Sequence, residues 1–475
     1  MIKNLEVVIG IEIHLELNTK TKLFSHAKND FDSLPNTNAT VIDLGYPGTL
    51  PSLNKEAVVK GIKLCKALQM SIDHELHFDR KNYYYTDIPK GFQITQQFRP
   101  IGSNGKMTLF LSDNKVKEVN INRLHIEEDT ARQIHTSTET LINYNRAGVP
   151  LLEIVSEPEM STSEEAMSYI NNIRTIALFL GISDSKMSEG SLRADINISL
   201  RMLGSKKLGT KVEIKNINSL NNVKKAIEFE IACQSKKIIA GEIIKQETKR
   251  FDEATSENIV MREKSDDIDY KYFKEPNIPP IILDEKWVDN ILIEEMPWEQ
   301  RERYLSDGIP EAFISLLNNN FEASKYFDSI QYKDRELLAK FFFSEVLPLA
   351  KNIKIEELNI KPQHIVDLID FSLTGTISGK QLKTLFPRLV NLKTSVEELI
   401  KSEGSVQISD EKTLSPIIND IISKNPHLLN EFVERQERTL KFVIGQLMKL
   451  TKGQANPIVS TQITMEILEK HVKEK

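Results

Sequence analysis

The stretch Val7–Leu17, with the sequence VVIGIEIHLEL, decides the fold of the first part of the chain. Every second residue, beginning with the first valine, is apolar, whereas Glu12, His14 and Glu16 share the opposite face. A two-residue period of this kind predicts a β-strand whose apolar face lies on a core. Its polar face presents carboxylate, imidazole and carboxylate in a row. These groups suit a hard divalent cation, but a solvated sheet face would carry the same residues.

Two later segments repeat this design: Ser191–Arg201 (SLRADINISLR) and Gly209–Asn216 (GTKVEIKN). Both alternate apolar with polar residues, and their polar faces carry Asp195, Asn197 and Glu213. An antiparallel sheet with one polar face is the expected outcome. Carboxylates gathered on one face repel each other unless cations neutralise them. Arginine and lysine side chains among them do so in part, so a metal site and a solvated face both stay open here.

A further acidic position ends the strand predicted at 117–126, where Glu127 and Glu128 are adjacent. Neighbouring residues of a strand point to opposite faces, so we expect only one of these two glutamates to reach the site. The candidate metal ligands are Glu12, His14, Glu127, Glu128, Asp195 and Glu213.

The segment Asp79–Gln97 (DRKNYYYTDIPKGFQITQQ) combines three consecutive tyrosines with Arg80, Lys81 and Lys90. Aromatic faces stack on bases and cations attract phosphate, so this mixture suits a nucleotide or the terminus of a tRNA. An aromatic cluster that merely plugs a loop fits the composition equally well.

Composition excludes several classes of protein. The chain has 475 residues, a net charge of −6, and hydrophobic and charged shares of 40% and 27%, which are ordinary for a globular protein. Two cysteines, Cys65 and Cys233, exclude a disulfide scaffold and a four-cysteine zinc site. No signal-peptide pattern precedes Glu6, and no apolar run reaches the roughly 18 residues of a membrane span. We therefore expect a cytoplasmic protein without a membrane partner.

The chain changes character after the proline-rich segment Lys274–Leu283 (KEPNIPPIIL), because alternation gives way to helical spacing. Before it, helices are predicted at about Asn54–Met70, Ser163–Leu180 and Ser219–Ala240. The predicted class is α+β, with two or three domains expected from the length. The predicted domains are a cradle-like catalytic domain with a mixed or antiparallel sheet (1–293), an all-α helical domain (294–407) and a small helical tail domain (408–475).

Ten motifs now point to one family. Eight of them occur in order before the helical part: GIEIHLEL, YPGTLPSLN, YYYTDIPKGFQITQQ, HIEEDTARQIH, YNRAGVPLLEIVSEPEM, EGSLRADINISLR, GTKVEIKNINSL and DYKYFKEPNIPP. In order and spacing they closely resemble the B subunit of the glutamine-dependent aspartyl/glutamyl-tRNA amidotransferase. GTISGKQLKTLF and VIGQLMKLTKGQANP resemble the tail of that protein. The resemblance covers nearly the whole chain.

The resemblance implies a ligase that uses ATP and Mg²⁺. Glutamate or aspartate misacylated on tRNA(Gln) or tRNA(Asn) is phosphorylated on its side-chain carboxyl, and ammonia then displaces the phosphate. A carboxylate is a poor electrophile, so phosphorylation supplies a leaving group while magnesium neutralises the phosphates. Two alternatives are a self-sufficient ligase that uses free ammonia, and a non-catalytic tRNA-binding subunit of a larger complex.

The resemblance also assigns roles to residues. It implies catalytic roles for Glu12, His14 and Glu128, and Arg193 is our candidate for balancing phosphoryl charge. The candidates for contacts with ATP or the tRNA terminus are Tyr84, Lys90 and Gln93.

Partners follow from what the chain lacks. Glutamine hydrolysis needs an activated cysteine or serine, and neither cysteine lies in a glycine-bounded elbow, so an amidase-type glutaminase subunit is implied. The family also implies a small third subunit that belts the two together. Many members carry a four-cysteine zinc knuckle in the first loop, where this chain has Ser25, Ala27, Thr40 and Asp43. We therefore expect no structural zinc and a loop held by packing alone.

Overall fold

The computed structural model divides the chain into two compact units, Met1–Gln300 and Arg301–Lys475. The first contains a large sheet and the second is helical, which confirms the predicted α+β class. Across the part of the chain that the structure describes, no helix combines the length and hydropathy that crossing a membrane requires. The described residues are 4–30, 33–112, 115–263, 269–351, 353–403, 408, 410–451 and 454–473.

Strands dominate the first unit. Its described strands are β1 (Leu5–Glu16), β2 (Ser71–Ile72), β3 (Glu75–Leu76), β4 (Asp79–Asn82), β5 (Phe92–Thr95), β6 (Gly102–Phe110), β7 (Val116–Glu128), β8 (Arg132–His135), β9 (Thr140–Asn143), β10 (Pro150–Ser156), β11 (Leu192–Met202), β12 (Val212–Ile217), β13 (Glu247–Asp252), β14 (Glu257–Glu263), β15 (Phe273–Lys274) and β16 (Ile281–Ile282). Its helices are α1 (Lys55–Ala67), α2 (Ser163–Phe179), α3 (Leu220–Ile239) and α4 (Glu285–Asp289), and α5 (Pro297–Ser306) spans the boundary in sequence.

Strand β1 is the middle strand of the main sheet. The order of this sheet is β14-β13-β12-β11-β1-β10-β7-β6-β2. Neighbouring strands are antiparallel except for β12 and β13, which are parallel. The sheet is therefore mixed, which is one of the two arrangements that the sequence analysis left open. A second sheet, in the order β15-β4-β5, carries part of the aromatic segment.

The two faces of the main sheet differ as the alternation in β1 predicts. On one face Ile9, Ile13 and Leu15 are fully buried. Helix α1 packs on this face, because a Cβ at Gly61 would lie 3.3 Å from the Cδ1 atom of Ile126. The absence of a side chain at this glycine lets the helix approach the strands closely. The opposite face carries the polar residues and is therefore free to build a site.

The second unit contains helices with two apolar cores. Its described α-helices are α6 (Glu311–Asn318), α7 (Phe321–Ser329), α8 (Arg335–Phe341), α9 (Pro362–Leu373), α10 (Gly379–Leu385), α11 (Val396–Ser402), α12 (Glu411–Lys424), α13 (His427–Glu434), α14 (Gln436–Leu450) and α15 (Pro457–Lys473). One core draws its residues from Tyr304 to Ile400 and the other from Leu414 to Leu468. The division of the chain at 293/294 and 407/408 stays a prediction.

Candidate metal centre

The register of the main sheet aligns its polar side chains. His14 in β1 lies opposite Glu153 of β10 on one side and Arg193 of β11 on the other. Glu12 lies opposite Asp195 in the same way. Directly opposed residues on antiparallel strands share a face and lie close together. The polar face of β1 is therefore continued by residues that are distant in sequence.

The first cluster consists of His14, Glu127 and Glu153. One potential ligand atom from each of the three lies within 4.8 Å of the others. The Nε2 atom of His14 is 3.6 Å from Oε1 of Glu127, and Oε2 of Glu127 accepts a hydrogen bond of 3.1 Å from the Thr95 hydroxyl. One imidazole and two carboxylates form a donor set that suits a hard divalent cation.

Burial leaves the acidic charge of the first cluster poorly compensated. Burial, together with the negative charge of Glu153, raises the pKa of Glu127 to about 8. Burial would also raise the pKa of Glu153, but the electrostatic interactions with His14, His125 and Lys81 outweigh it and lower that pKa. Burial lowers the pKa of His14, and it lowers that of His125 to about 4. A cation bound between these side chains would supply the positive charge that Glu127 lacks, so these residues fit a metal ion.

The second cluster consists of Glu12, Asp195 and Glu213, whose ligand atoms also lie within 4.8 Å of one another. The ammonium of Lys215 contacts Asp195 and lies 3.1 Å from Oε1 of Glu213. The Asn197 amide donates a hydrogen bond of 3.0 Å to Glu12. Burial and the neighbouring carboxylates nevertheless raise the pKa of Glu12. A lysine therefore neutralises part of this cluster, which makes the first cluster the stronger candidate for a metal ion.

Glu128 lies outside both clusters. Its carboxylate accepts hydrogen bonds from the Lys90 ammonium and, at 2.9 Å, from the backbone N–H of Ile94. The alternation of side chains along β7 is the reason, because Glu127 faces the clusters and Glu128 must then face away. Of the two adjacent glutamates, the structure brings only Glu127 to the other candidate ligands.

Arg193 belongs to a group of charges beside His14. Its Nη2 atom donates a hydrogen bond of 2.8 Å to Oδ2 of Asp129, and Nη2 of Arg146 lies 2.5 Å from the same oxygen. Arg146 also contacts Glu16 at 3.4 Å. Burial, with the negative charge of Asp129, raises the pKa of Glu16 to about 8. Two guanidinium groups therefore converge on one buried aspartate at the end of the polar face.

The three candidates for nucleotide or tRNA contacts are in different environments. The side chain of Tyr84 is 95% exposed. Gln93 is buried, and its amide donates a hydrogen bond of 2.7 Å to the backbone carbonyl of Glu128. Lys90 is held by the Glu128 carboxylate. Of the three candidates, Tyr84 is thus the one whose side chain is free to stack on a base from solution.

A second aromatic group consists of Tyr83, Tyr270 and Tyr272. The ring of Tyr270 is 6.1 Å from that of Tyr83 and 5.9 Å from that of Tyr272, measured between centroids. The Lys81 ammonium lies 4.8 Å from the Tyr270 centroid. Burial would lower the pKa of Lys81, but the charge of Glu127 and other nearby groups outweigh it and raise that pKa. Lys81 therefore connects the aromatic rings electrostatically with the candidate metal ligands.

Sequence reasoning missed Glu153 and His125. A single carboxylate within the apolar strand PLLEIVS was the only signal for Glu153. His125 had a clearer signal, since it precedes Glu127 by two residues and therefore shares its face of β7. Neither signal could reveal that Glu153 lies opposite both His14 and His125.

The first loop, where the zinc knuckle of relatives would lie, is held by a buried polar network. Lys22 is completely buried, and its ammonium lies 3.6 Å from Oδ2 of Asp43. The hydroxyl of Ser25 donates a hydrogen bond of 2.8 Å to Oδ1 of Asp43, and the backbone N–H of Thr40 donates one of 2.8 Å to Oδ2. The expectation that packing alone holds this loop is therefore wrong. A buried ion pair with hydrogen bonds contributes as well.

Comparison with known proteins gives the same answer at family level. Residues 7–289 match the family model described as the GatB/GatE catalytic domain, and residues 325–468 match the one described as the GatB domain. A protein of Mycoplasmopsis agalactiae, named as the B subunit of aspartyl/glutamyl-tRNA(Asn/Gln) amidotransferase, is 54% identical over 472 residues, which cover 99% of this chain and all of the relative. Proteins of the same name from Mycoplasmopsis pulmonis and Bacillus cereus are 52% and 43% identical, over 99% and 98% of this chain and all of each relative.

These matches identify the class of protein: the chain is an enzyme subunit of the ligase class and carries a catalytic domain. It belongs to the family of the aspartyl/glutamyl-tRNA amidotransferase B subunits. The resemblance drawn from the ten motifs is thereby confirmed. A purely tRNA-binding role is not favoured, because the family model that covers the sheet unit is that of a catalytic domain.

Proposed function

We propose that this chain activates the side-chain carboxyl of glutamate or aspartate misacylated on tRNA(Gln) or tRNA(Asn). A carboxylate oxygen attacks the γ-phosphorus of ATP, and ADP leaves. Ammonia then attacks the carbonyl carbon of the acyl phosphate, phosphate leaves and a proton is lost. The observation that carries this proposal is the gathering of His14, Glu127 and Glu153 on the polar face of the central strand.

The two clusters supply places for divalent cations. His14, Glu127 and Glu153 would hold one Mg²⁺. Glu12 with its two carboxylate neighbours would hold a second one, once Lys215 moves aside. When bound, the cations neutralise phosphate charge during transfer. Because Glu12 and His14 are two residues apart on one strand, the two clusters are separated by roughly 7 Å along that strand.

The group around Asp129 would serve the phosphates. Asp129 holds the guanidinium groups of Arg193 and Arg146 in place, and Arg193 lies opposite His14 in register. A fixed guanidinium group is suited to binding phosphoryl oxygens. We therefore assign Arg193 to charge balance during transfer. Glu128 is assigned to fixing Lys90 rather than to the cation.

Ammonia would come from an amidase-type glutaminase subunit. The chain's own thiols are poorly suited to glutamine hydrolysis, because burial raises the pKa of Cys65 to about 12 and also raises that of Cys233. Ammonia released into water becomes protonated and loses its nucleophilicity, so the partner must seal against the sheet unit. A small belt subunit completes this proposed cytoplasmic complex. The relatives are named as one subunit of an amidotransferase, which is consistent with further subunits.

The experiment is amidation of misacylated tRNA by the full chain in complex with a glutaminase subunit. We expect glutamine and ATP to yield the amidated tRNA. Replacing both Glu12 and His14 with alanine should abolish the product while tRNA affinity is kept. Retained amidation by this variant would contradict the proposal. Amidation with ammonium in the absence of any partner would favour the self-sufficient ligase instead.

Tyr84 offers a separate prediction about substrate binding. Because its side chain is almost fully exposed, Tyr84→Ala should change the free energy of unfolding by less than about 0.5 kcal/mol. If a base stacks on this ring, the variant should lose about 1–3 kcal/mol of binding, seen as a raised KM for ATP or for the misacylated tRNA. Tyr84→Phe is the matched control and should retain both KM values. Unchanged KM values in Tyr84→Ala would remove this residue from the site.

A further inference from the structure

His125 is a buried histidine whose two ring nitrogens have no hydrogen-bond partner in the described part of the chain. The residue is only 2% exposed, and both ring nitrogens are buried without a hydrogen bond. Leaving a buried polar group unbonded costs roughly 1–3 kcal/mol. Such groups are rare in folded proteins and require an explanation.

The position of His125 supplies one. In the register of β7 and β10 it lies directly opposite Glu153, and its Nδ1 atom is 3.7 Å from Oε2 of that residue. On the other side of the same glutamate lies His14. Glu153 is therefore flanked by two imidazoles, one of which belongs to the first cluster and one of which has no other bonding partner among the described residues. The separation of 3.7 Å exceeds the roughly 2.7–3.2 Å of an N–H···O hydrogen bond, so the Glu153 carboxylate would have to move by about 0.5 Å to accept one.

We propose that His125 is a positioning residue for the first cluster, in which its Nδ1–H donates to one oxygen of Glu153 and thereby directs the other oxygen towards the cation. This inference rests on the proposed function, because it assigns a task within the same site. A carboxylate that is free to rotate can present either oxygen or neither, and a hydrogen bond to one oxygen fixes its plane. Mutation of a residue that hydrogen-bonds a metal ligand, without itself contacting the metal, commonly lowers metal affinity by about 10- to 100-fold.

Three substitutions of His125 separate the role of Nδ1 from that of packing. In His125→Asn the side-chain amide replaces the Nδ1–H donor, whereas in His125→Gln the amide replaces Nε2 instead. His125→Leu removes both nitrogens and fills the buried position with an apolar side chain. The measured quantity is the dissociation constant of Mn²⁺ for the full chain, followed by calorimetry and by the electron paramagnetic resonance of the free ion. Glu213→Gln, which removes a ligand of the second cluster only, identifies which binding event belongs to the first.

We expect His125→Leu and His125→Gln to weaken the first Mn²⁺ site by about 10- to 100-fold, and His125→Asn to remain within a few-fold of the unchanged chain. In thermal unfolding without metal, the leucine variant should be no less stable than the unchanged chain, since it removes an unbonded polar group. Should the leucine variant fail to fold, the asparagine and glutamine pair carries the test. Unchanged Mn²⁺ affinity in His125→Leu, or retention by glutamine and loss by asparagine, would overturn the inference. If the unchanged chain binds no Mn²⁺, the proposed cation site itself fails together with it.

Discussion

Replacing Glu153 with glutamine should abolish tRNA-dependent amidation without unfolding the protein. The substitution keeps the size of the side chain but removes one of the two carboxylates of the first cluster. Mutation of a residue that only hydrogen-bonds a metal ligand typically costs roughly 10- to 100-fold in activity. Loss of the ligand itself should reduce turnover by more than this. The measurement is the rate of formation of amidated tRNA at saturating ATP, with Mn²⁺ affinity measured in parallel.

The matched control is Glu118→Gln on β7. The side chain of Glu118 is 55% exposed and forms a surface ion pair of 3.4 Å with Lys106. Such pairs contribute at most about 1 kcal/mol, so this variant should retain both activity and Mn²⁺ affinity. Normal turnover in Glu153→Gln would show that phosphoryl transfer does not depend on the first cluster.

Replacing Asp43 with asparagine should destabilise the first unit more than any other change considered. The variant leaves the ammonium of Lys22 buried without its carboxylate partner, and burial already lowers the pKa of this lysine. Removing one partner of a buried ion pair costs about 3–5 kcal/mol. The chain has two tryptophans, Trp287 and Trp298, and both lie within Met1–Gln300. Tryptophan fluorescence during urea unfolding therefore reports on this unit.

The control for Asp43→Asn is the double variant Lys22→Met with Asp43→Leu. Replacing both charges with apolar groups leaves no charge buried alone, so most of the lost stability should return. A zinc chelator should leave the unfolding curve of the unchanged chain where it is, because Ser25, Thr40 and Lys22 already satisfy Asp43. If Asp43→Asn is as stable as the unchanged chain, or if the chelator has a large effect, this explanation of the loop is contradicted.

Local patterns were sufficient to predict the central strand and its two faces. The two-residue period of Val7–Leu17 depends only on neighbours in sequence, and it correctly indicated the apolar face on which Ile9, Ile13 and Leu15 are buried, although Val8 and Glu16 on the polar face are buried as well. The same holds for helices α1, α2 and α3, whose capping residues Asn54, Thr162 and Ser219 each accept backbone hydrogen bonds. The α+β class followed from these elements, whereas the parallel pairing of β12 with β13, which makes the sheet mixed, did not.

The composition of the candidate site depended on pairing between strands, which no local pattern contains. Glu153 joins His14 and Glu127 only because β10 lies between β1 and β7. The choice between Glu127 and Glu128 needed the phase of β7, and the sequence left it open. The rings of Tyr270 and Tyr272 reach the neighbourhood of Lys81 through the pairing of β15 with β4. These contacts join segments that are far apart in the chain.

Anomalous diffraction from crystals soaked in Mn²⁺ would locate the cation itself. We predict a peak coordinated by His14, Glu127 and Glu153 on the polar face of β1, which disappears in Glu153→Gln. A peak elsewhere on the chain, with none between these three side chains, would contradict the assignment of this face as the metal centre.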